Sequence, residues 1–162
     1  MEKTLCFTGH RLQKVGGFNE NNPTALAVKQ KLKLAVEEAI KEGYTTFLSG
    51  GAIGVDQWAM EIVLELKKEN PSLKLVVCRP FPSQDKVWPS QSQAKFKSLC
   101  AKADEVVDVE KDPYANWKMQ KRNQYMVDKS SKVIAVWDGS DGGTANTVKY
   151  ATKKDKVVIR IS

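Results

Sequence analysis

The residues of this chain whose types and spacing could do chemistry fall mainly at four places. The longest is Ser49-Gly50-Gly51-Ala52-Ile53-Gly54-Val55-Asp56, which follows the apolar run Tyr44 to Leu48. It opens a pattern in which Val55, Ala59, Ile62, Val63 and Leu66 recur at helix spacing. A glycine turn between a strand and a helix presents backbone N–H groups at the helix's positive end, where phosphates are favoured. Its glycines also let a ligand approach the backbone closely. The other places are Thr8-Gly9-His10-Arg11, Arg79 in a Pro-rich loop, and Asp138 to Thr144 with its Gly142-Gly143-Thr144 core. The spacing fits neither G-x-G-x-x-G nor G-x-x-x-x-G-K-[ST]. Each glycine turn is therefore open to a second reading, a tight βα connection without a ligand.

Single residues carry similar pairs of readings. Arg122 sits mid-helix beside an apolar stripe, so it either reaches a phosphate or carboxylate or snorkels to water. Asp56, in the first helical turn, caps backbone N–H groups or accepts a ribose hydroxyl. For Asp138 a turn role competes with ribose binding. His10 is the only histidine, and without a partner pattern it makes neither a metal site nor a triad. A hydrogen bond to a ligand or a neighbouring loop is its expected part. Trp58 and Trp137 flank the glycine loops, with core packing or contact with a base open to each. Cys6, Cys78 and Cys100 have no metal-ligand spacing and read as reduced, buried thiols of a cytoplasmic protein. No metal is expected.

The elements that must position these residues alternate. Strands are predicted at Thr4–Thr8, Tyr44–Leu48, Leu73–Cys78, Glu105–Val109, Lys132–Trp137 and Val157–Ile161. Between them lie helices. The first starts at Asn22-Pro23, carries the stripe Val28, Leu32, Ala35, Val36, Ala39 and Ile40, and stops at Gly43. The second runs from the glycine turn to Asn70-Pro71, and the others span Val87–Ala103, Asn116–Lys129 and Thr144–Lys153. Leu12 to Asn22 reads as a mobile loop. Such alternation predicts an α/β, Rossmann-like three-layer sandwich with a mainly parallel open sheet. The four chemical stretches would then share the carboxyl edge of the strands, where ligands of such folds sit.

Size and composition fit one domain over residues 1–162, with 41% hydrophobic and 28% charged residues. No run approaches a membrane span, and the first residues enter a strand too soon for a leader. The formal charge of +7 suits a polyanion, but the lysines are scattered and read mostly as solvated helix faces.

Three stretches together carry a resemblance: Thr8-Gly9-His10-Arg11, then Ser49 to Asp56, then Arg122 to Asp128 with Gly142-Gly143-Thr144. The chain resembles the SLOG superfamily, in particular its small YpsA-like branch. Its other members include the DNA-processing protein A family and the Lonely Guy phosphoribohydrolases. The resemblance implies a nucleotide-related pocket at the strand ends. It further implies ligands such as nucleotides, ADP-ribose-like molecules or NAD derivatives, and for some members a sensing role in bacterial or phage defence. Lonely Guy enzymes use a Gly-Gly-x-Gly-Thr-x-x-Glu motif; here Thr147 stands where the glutamate would be. Threonine supplies no carboxylate for glycosidic cleavage. Another acid, Asp56, Glu61 or Asp138, could serve from a different loop.

The resulting expectation is a module that binds, senses or sequesters a phosphorylated nucleotide-type small molecule. Its expected ligand-binding residues are Thr8, Gly9, His10, Arg11, Ser49, Gly50, Gly51, Ala52, Gly54, Asp56, Arg79, Arg122, Asp138, Gly142, Gly143 and Thr144. The alternatives are a nucleotide N-glycosidic hydrolase and a nucleic-acid-binding accessory protein. A homo-oligomer without membrane attachment is expected.

Overall fold

The computed structural model describes residues 3–17 and 19–162. Its elements are β1 (Lys3–Gly9), a 3-10 turn (Leu12–Lys14), α1 (Pro23–Lys41), β2 (Tyr44–Ser49), α2 (Val55–Lys67) and β3 (Lys74–Arg79). These are followed by α3 (Ser90–Lys102), β4 (Glu105–Asp108), α4 (Asn116–Asp128), β5 (Lys132–Val136), α5 (Gly143–Lys153) and β6 (Val157–Ile161). All six strands are parallel, in the order β4-β3-β2-β1-β5-β6. The chain builds outward from β1 to β4, then crosses back to the other side of β1 for β5 and β6. The α/β, Rossmann-like expectation holds.

Local chemistry explains the elements that matter most. Asn22 accepts the Ala25 N–H at 2.8 Å, and Pro23 occupies the first turn of α1 where no donor is needed. Gly43, at φ 99°, takes the left-handed turn that ends this helix. Leu5, Cys6 and Phe7 on β1 are buried on alternate faces, as a strand covered on both sides requires.

Two cores separate the layers. Leu5, Phe7, Phe47, Leu75, Val77 and Ile134 pack against α1, α2 and α3. Cys6, Leu48, Val76, Cys78 and Val133 pack against Met126 and Val127 of α4 and Ala151 of α5. Burial pushes the Cys6 and Cys78 thiols up to about 12.

Some boundaries differ from the sequence reading. Helix α3 begins at Ser90 rather than Val87, because Pro89 takes the extended N-cap conformation and Val87 stands 89% exposed in the preceding turns. The Leu12–Asn22 loop is anchored by a 3-10 turn that buries Leu12 and Val15. No helix among the described residues is long and apolar enough to cross a membrane.

Candidate functional site

A cavity of about 350 Å³ opens at the carboxyl ends of β1 and β5, where the strand order reverses. Four segments wall it: Phe7 to Arg11 with Gln13 and Lys14, Ala52 and Ile53 with Asp56, Arg122 with Asn123, and Ser140 to Ala145. Thr8, Gly9, His10, Arg11, Ala52, Asp56, Arg122, Gly142, Gly143 and Thr144, all expected ligand contacts, line it.

Six expected contacts do not line it. Ser49 Oγ donates to the Asp56 carbonyl at 2.9 Å and accepts the Gly51 N–H at 3.3 Å. The Ala52 N–H donates to the Asp56 carboxylate at 3.3 Å, and Gln84 Nε2 donates to the Gly50 carbonyl at 3.0 Å. The Gly51 and Ala52 donors of this glycine turn thus serve the turn itself. Gly54 is instead a point of close approach: a Cβ there would lie 3.2 Å from the His10 carbonyl oxygen. Arg79 is turned to Asp108 on the neighbouring strand, with Nε and Nη2 at 2.6 and 2.9 Å from its two oxygens. Asp138 accepts the Ser140 N–H at 2.8 Å and its hydroxyl at 2.5 Å. Those bonds hold its carboxyl far below the usual range and give it the turn role.

The second glycine loop is arranged differently. Gly142 caps α5 with φ 140°, and neither a side-chain cap nor an acidic residue occupies that first turn. A Cβ at Gly142 or Gly143 would meet no atom within 4 Å. The first N–H groups of α5 thus lie along the cavity lining without a side-chain cap among the described residues, at the positive end of an 11-residue helix.

Beneath the rim lies Arg122, only 3% exposed. Its Nη1 donates to the carbonyls of Gly50 at 2.8 Å and Cys78 at 3.0 Å, and its Nε donates to Asn123 Oδ1 at 2.9 Å. It does not snorkel. One arm of the guanidinium, Nη1, is fixed by backbone carbonyls at the ends of β2 and β3, Nε is held by the Asn123 side chain, and the group borders the cavity. Asp56 acts on it as a nearby opposite charge, without a direct ion pair. Burial raises the Asp56 carboxyl above the usual carboxylate range against the pull of Arg122 and Arg11.

The walls are tied across the top. Asp138 N–H donates to His10 Nε2 at 3.0 Å, and Lys14 Nζ donates to Ser140 Oγ at 2.6 Å. His10 thus bonds to the neighbouring loop. Trp58 is buried with its N–H on Glu20 at 2.6 Å, and Trp137 donates to the Ser140 carbonyl at 2.8 Å. Neither indole lines the cavity. Thr147 is 1% exposed and donates to the Gly143 carbonyl at 2.9 Å, also away from the cavity lining. Gln13, Lys14 and Asn123 line the wall beyond the expected contacts, as do Ser140 and Asp141 within the Asp138 to Thr144 stretch. Their proximity to Arg11, Arg122 and Gly142 was the available signal. No group of His, Cys, Asp or Glu among the described residues could hold a metal ion.

A parallel, doubly wound sheet with a polar cleft at its reversal point defines a Rossmann-like α/β domain. Within that class the chain belongs to the YspA SLOG family, whose YpsA model matches residues 5–159. It is 43% identical over 144 residues to the uncharacterized SPbeta prophage-derived protein YoqJ of Bacillus subtilis, covering 82% of this chain and 84% of that protein. A UPF0398 protein of Brevibacillus brevis is 33% identical over 156 residues, covering 95% of this chain and 83% of that one. Among solved structures, DNA processing protein A of Helicobacter pylori, described in a single-stranded DNA binding mode, matches with a TM-score of 0.67 at 20% identity. The same protein from Streptococcus pneumoniae gives 0.66 at 16%. Both matches cover 99% of this chain but 65% and 50% of those chains, and at such identity the likeness is one of fold.

Proposed function

We propose that the cleft binds a phosphorylated nucleotide or nucleotide-derived ligand and that the protein senses or sequesters it. The carrying observation is that the uncapped N-terminus of α5 and the buried Arg122 open onto one cavity. A phosphate at Gly143 to Ala145 would complete the N–H groups of the first turn and lie against a fixed positive field. Asp56, on the opposite wall, is the group available to accept ribose hydroxyls. A volume of about 350 Å³ stands near the low end for small-molecule sites and favours a mononucleotide-sized portion of the ligand. ADP-ribose, NAD-related molecules and cyclic nucleotides are the candidates that offer such a portion. Thr147, buried and bonded to its own helix, favours retention of the ligand over glycosidic cleavage.

Gly143→Asp tests this reading cleanly. Its new side chain enters open space, and a carboxylate in the first turn suits the helix dipole, so the fold is kept. Native mass spectrometry of the purified protein reads any retained ligand and, from the same ions, the expected homo-oligomer. Calorimetry with AMP, ADP-ribose, NAD and cyclic AMP then compares wild type with Gly143→Asp. At least one ligand should bind wild type and lose tenfold or more in the variant, without a lower melting temperature. Equal affinity in both proteins, or no binding of any of the four, overturns the proposal.

A further inference from the structure

The cleft occupies one end of the molecule, and lysines gather at the opposite end. In a parallel sheet with returning helices, every helix ends at the edge where the strands begin. Helices α1, α2, α3 and α5 each hold a lysine in the last turn, and Lys129 is the C-cap of α4. The lysines scattered along the sequence are thereby gathered in space.

The gathering is densest where α4 and α5 finish side by side. Tyr150 of α5 donates its hydroxyl to Asp128 at the end of α4 at 2.7 Å, which fixes the two helix ends together. Around that contact stand Lys129, Lys149, Lys153, Lys154 and Lys156. Among the described residues none of the five has a carboxylate within 4 Å, whereas Lys33, Lys67, Lys95, Lys121 and Lys132 each do. From Lys149 to Lys156 the chain holds four lysines and one carboxylate, Asp155.

The helix dipole accounts for a single lysine at a helix end. It does not account for this set. Lys149 and Lys153 are one turn apart on the exposed face of α5 and repel each other, a cost without compensation inside the fold. Two of the ammonium groups are seated on aromatic faces, Lys129 at 5.6 Å from the Tyr125 ring centre and Lys154 at 5.5 Å from that of Tyr150. The charges are held outward over half-buried tyrosines, rather than neutralised.

We infer that the face formed by the ends of α4 and α5, with Lys129, Lys149, Lys153 and Lys154, docks the phosphate backbone of a nucleic acid. Charge complementarity selects the occupant: closely spaced, unpaired lysines match a chain of phosphates, and the tyrosines among them suit bases or sugars. A membrane surface fits less well. Of the large apolar side chains that stand exposed, only Val157 adjoins these lysines in the chain, and insertion needs several. The site is independent of the cleft and does not rest on its ligand.

Fluorescence anisotropy with a labelled single strand and with a labelled duplex tests the inference, using the whole chain. Three proteins are compared with wild type. One carries Lys129→Gln, Lys149→Gln, Lys153→Gln and Lys154→Gln. A second carries the same loss of charge elsewhere, as Lys29→Gln, Lys31→Gln, Lys33→Gln and Lys95→Gln. The third is Gly143→Asp. The first should weaken binding at least tenfold and flatten the dependence of log affinity on log salt by about 3.6 for duplex. The second should change affinity less than threefold, and Gly143→Asp should leave it within twofold. Equal losses in the two four-lysine variants would show diffuse attraction and overturn the assignment. So would undetectable binding of both nucleic acids at low salt, or tighter binding to vesicles of phosphatidylcholine and phosphatidylserine than to either. Melting temperatures within a few degrees of wild type confirm that the variants are folded.

Discussion

Arg122 and Gly50, 72 positions apart, share one space: Arg122 Nη1 donates to the Gly50 carbonyl at 2.8 Å, and a Cβ on Gly50 would stand 2.6 Å from that same nitrogen. The glycine is required by the arginine's approach. Gly50→Ala should therefore destabilise the protein by about 1–3 kcal/mol through overpacking and should weaken ligand binding by displacing the guanidinium. Denaturant unfolding and calorimetry read the two effects. Wild-type stability in this variant would show that Arg122 gives way without loss.

Arg122→Lys keeps the charge but not the fork. A lysine cannot reach the carbonyls of Gly50 and Cys78 while also occupying the Asn123 oxygen in a plane. We expect a loss of about 1–3 kcal/mol from acceptors left unsatisfied in the interior. Lys31→Ala, at an exposed lysine on α1, should change both stability and ligand affinity hardly at all. Comparable losses from the two would remove Arg122 from the site.

Asp56 gives a pH signature. Its folded-state carboxyl is raised by burial, so between the unfolded and folded pKa values the folded protein binds the extra proton. Stability contributed by this group is thus greatest below the unfolded value and declines as pH rises through the folded one. Asp56→Asn mimics the protonated form. Its melting temperature should match wild type near pH 3.5 and exceed it increasingly toward pH 7. A difference that is constant with pH, or that reverses in sign, would contradict the assigned direction.

Thr147→Glu should not create a hydrolase. The side chain is buried against its own helix, so the substitution places a carboxylate where its charge is not solvated. The expected result is a loss of at least about 2 kcal/mol. Chromatography of AMP, NAD and ADP-ribose incubations should show no free base or nicotinamide above wild type. A stable variant with turnover would mean that position 147 can turn into the cleft.

The two strand thiols should be inert. With Cys6 and Cys78 buried and their thiols pushed up to about 12, iodoacetamide should label neither in the native protein. Cys100, half-buried and also raised by burial, should react slowly. Peptide mass spectrometry before and after denaturation separates the three. Rapid native labelling of Cys6 would imply an opening of the sheet between α4 and α5.

Periodicity made the fold legible because the stripes of α1 and α2 and the apolar runs of β1, β2, β3 and β5 had to be covered. Thr8 to Arg11 and Gly142 to Thr144 were legible as cavity residues for a related reason: both follow strands, and parallel topology forces those ends together. Arg79 was not. Its partner Asp108 is set by the pairing register of β3 with β4, which no spacing along the chain records. The Ser49 to Asp56 turn has the composition of a phosphate cradle, but Ser49 and Asp56 are close enough in sequence to consume its donors locally. The start of α3 followed its apolar residues too far back, across Pro89. The lysine cluster was hidden because helix ends distant in sequence meet only once the sheet is assembled.

The return of the chain from β4, at one edge, across to β5 on the far side of β1 divides the cavity between distant stretches of sequence. The cavity residues between 7 and 56 come from the first part of the chain, whereas Arg122 and the 140–145 loop come from the last third. Long-range closure of this kind is slow compared with forming local helices. The cleft is therefore complete only when β5 has joined β1.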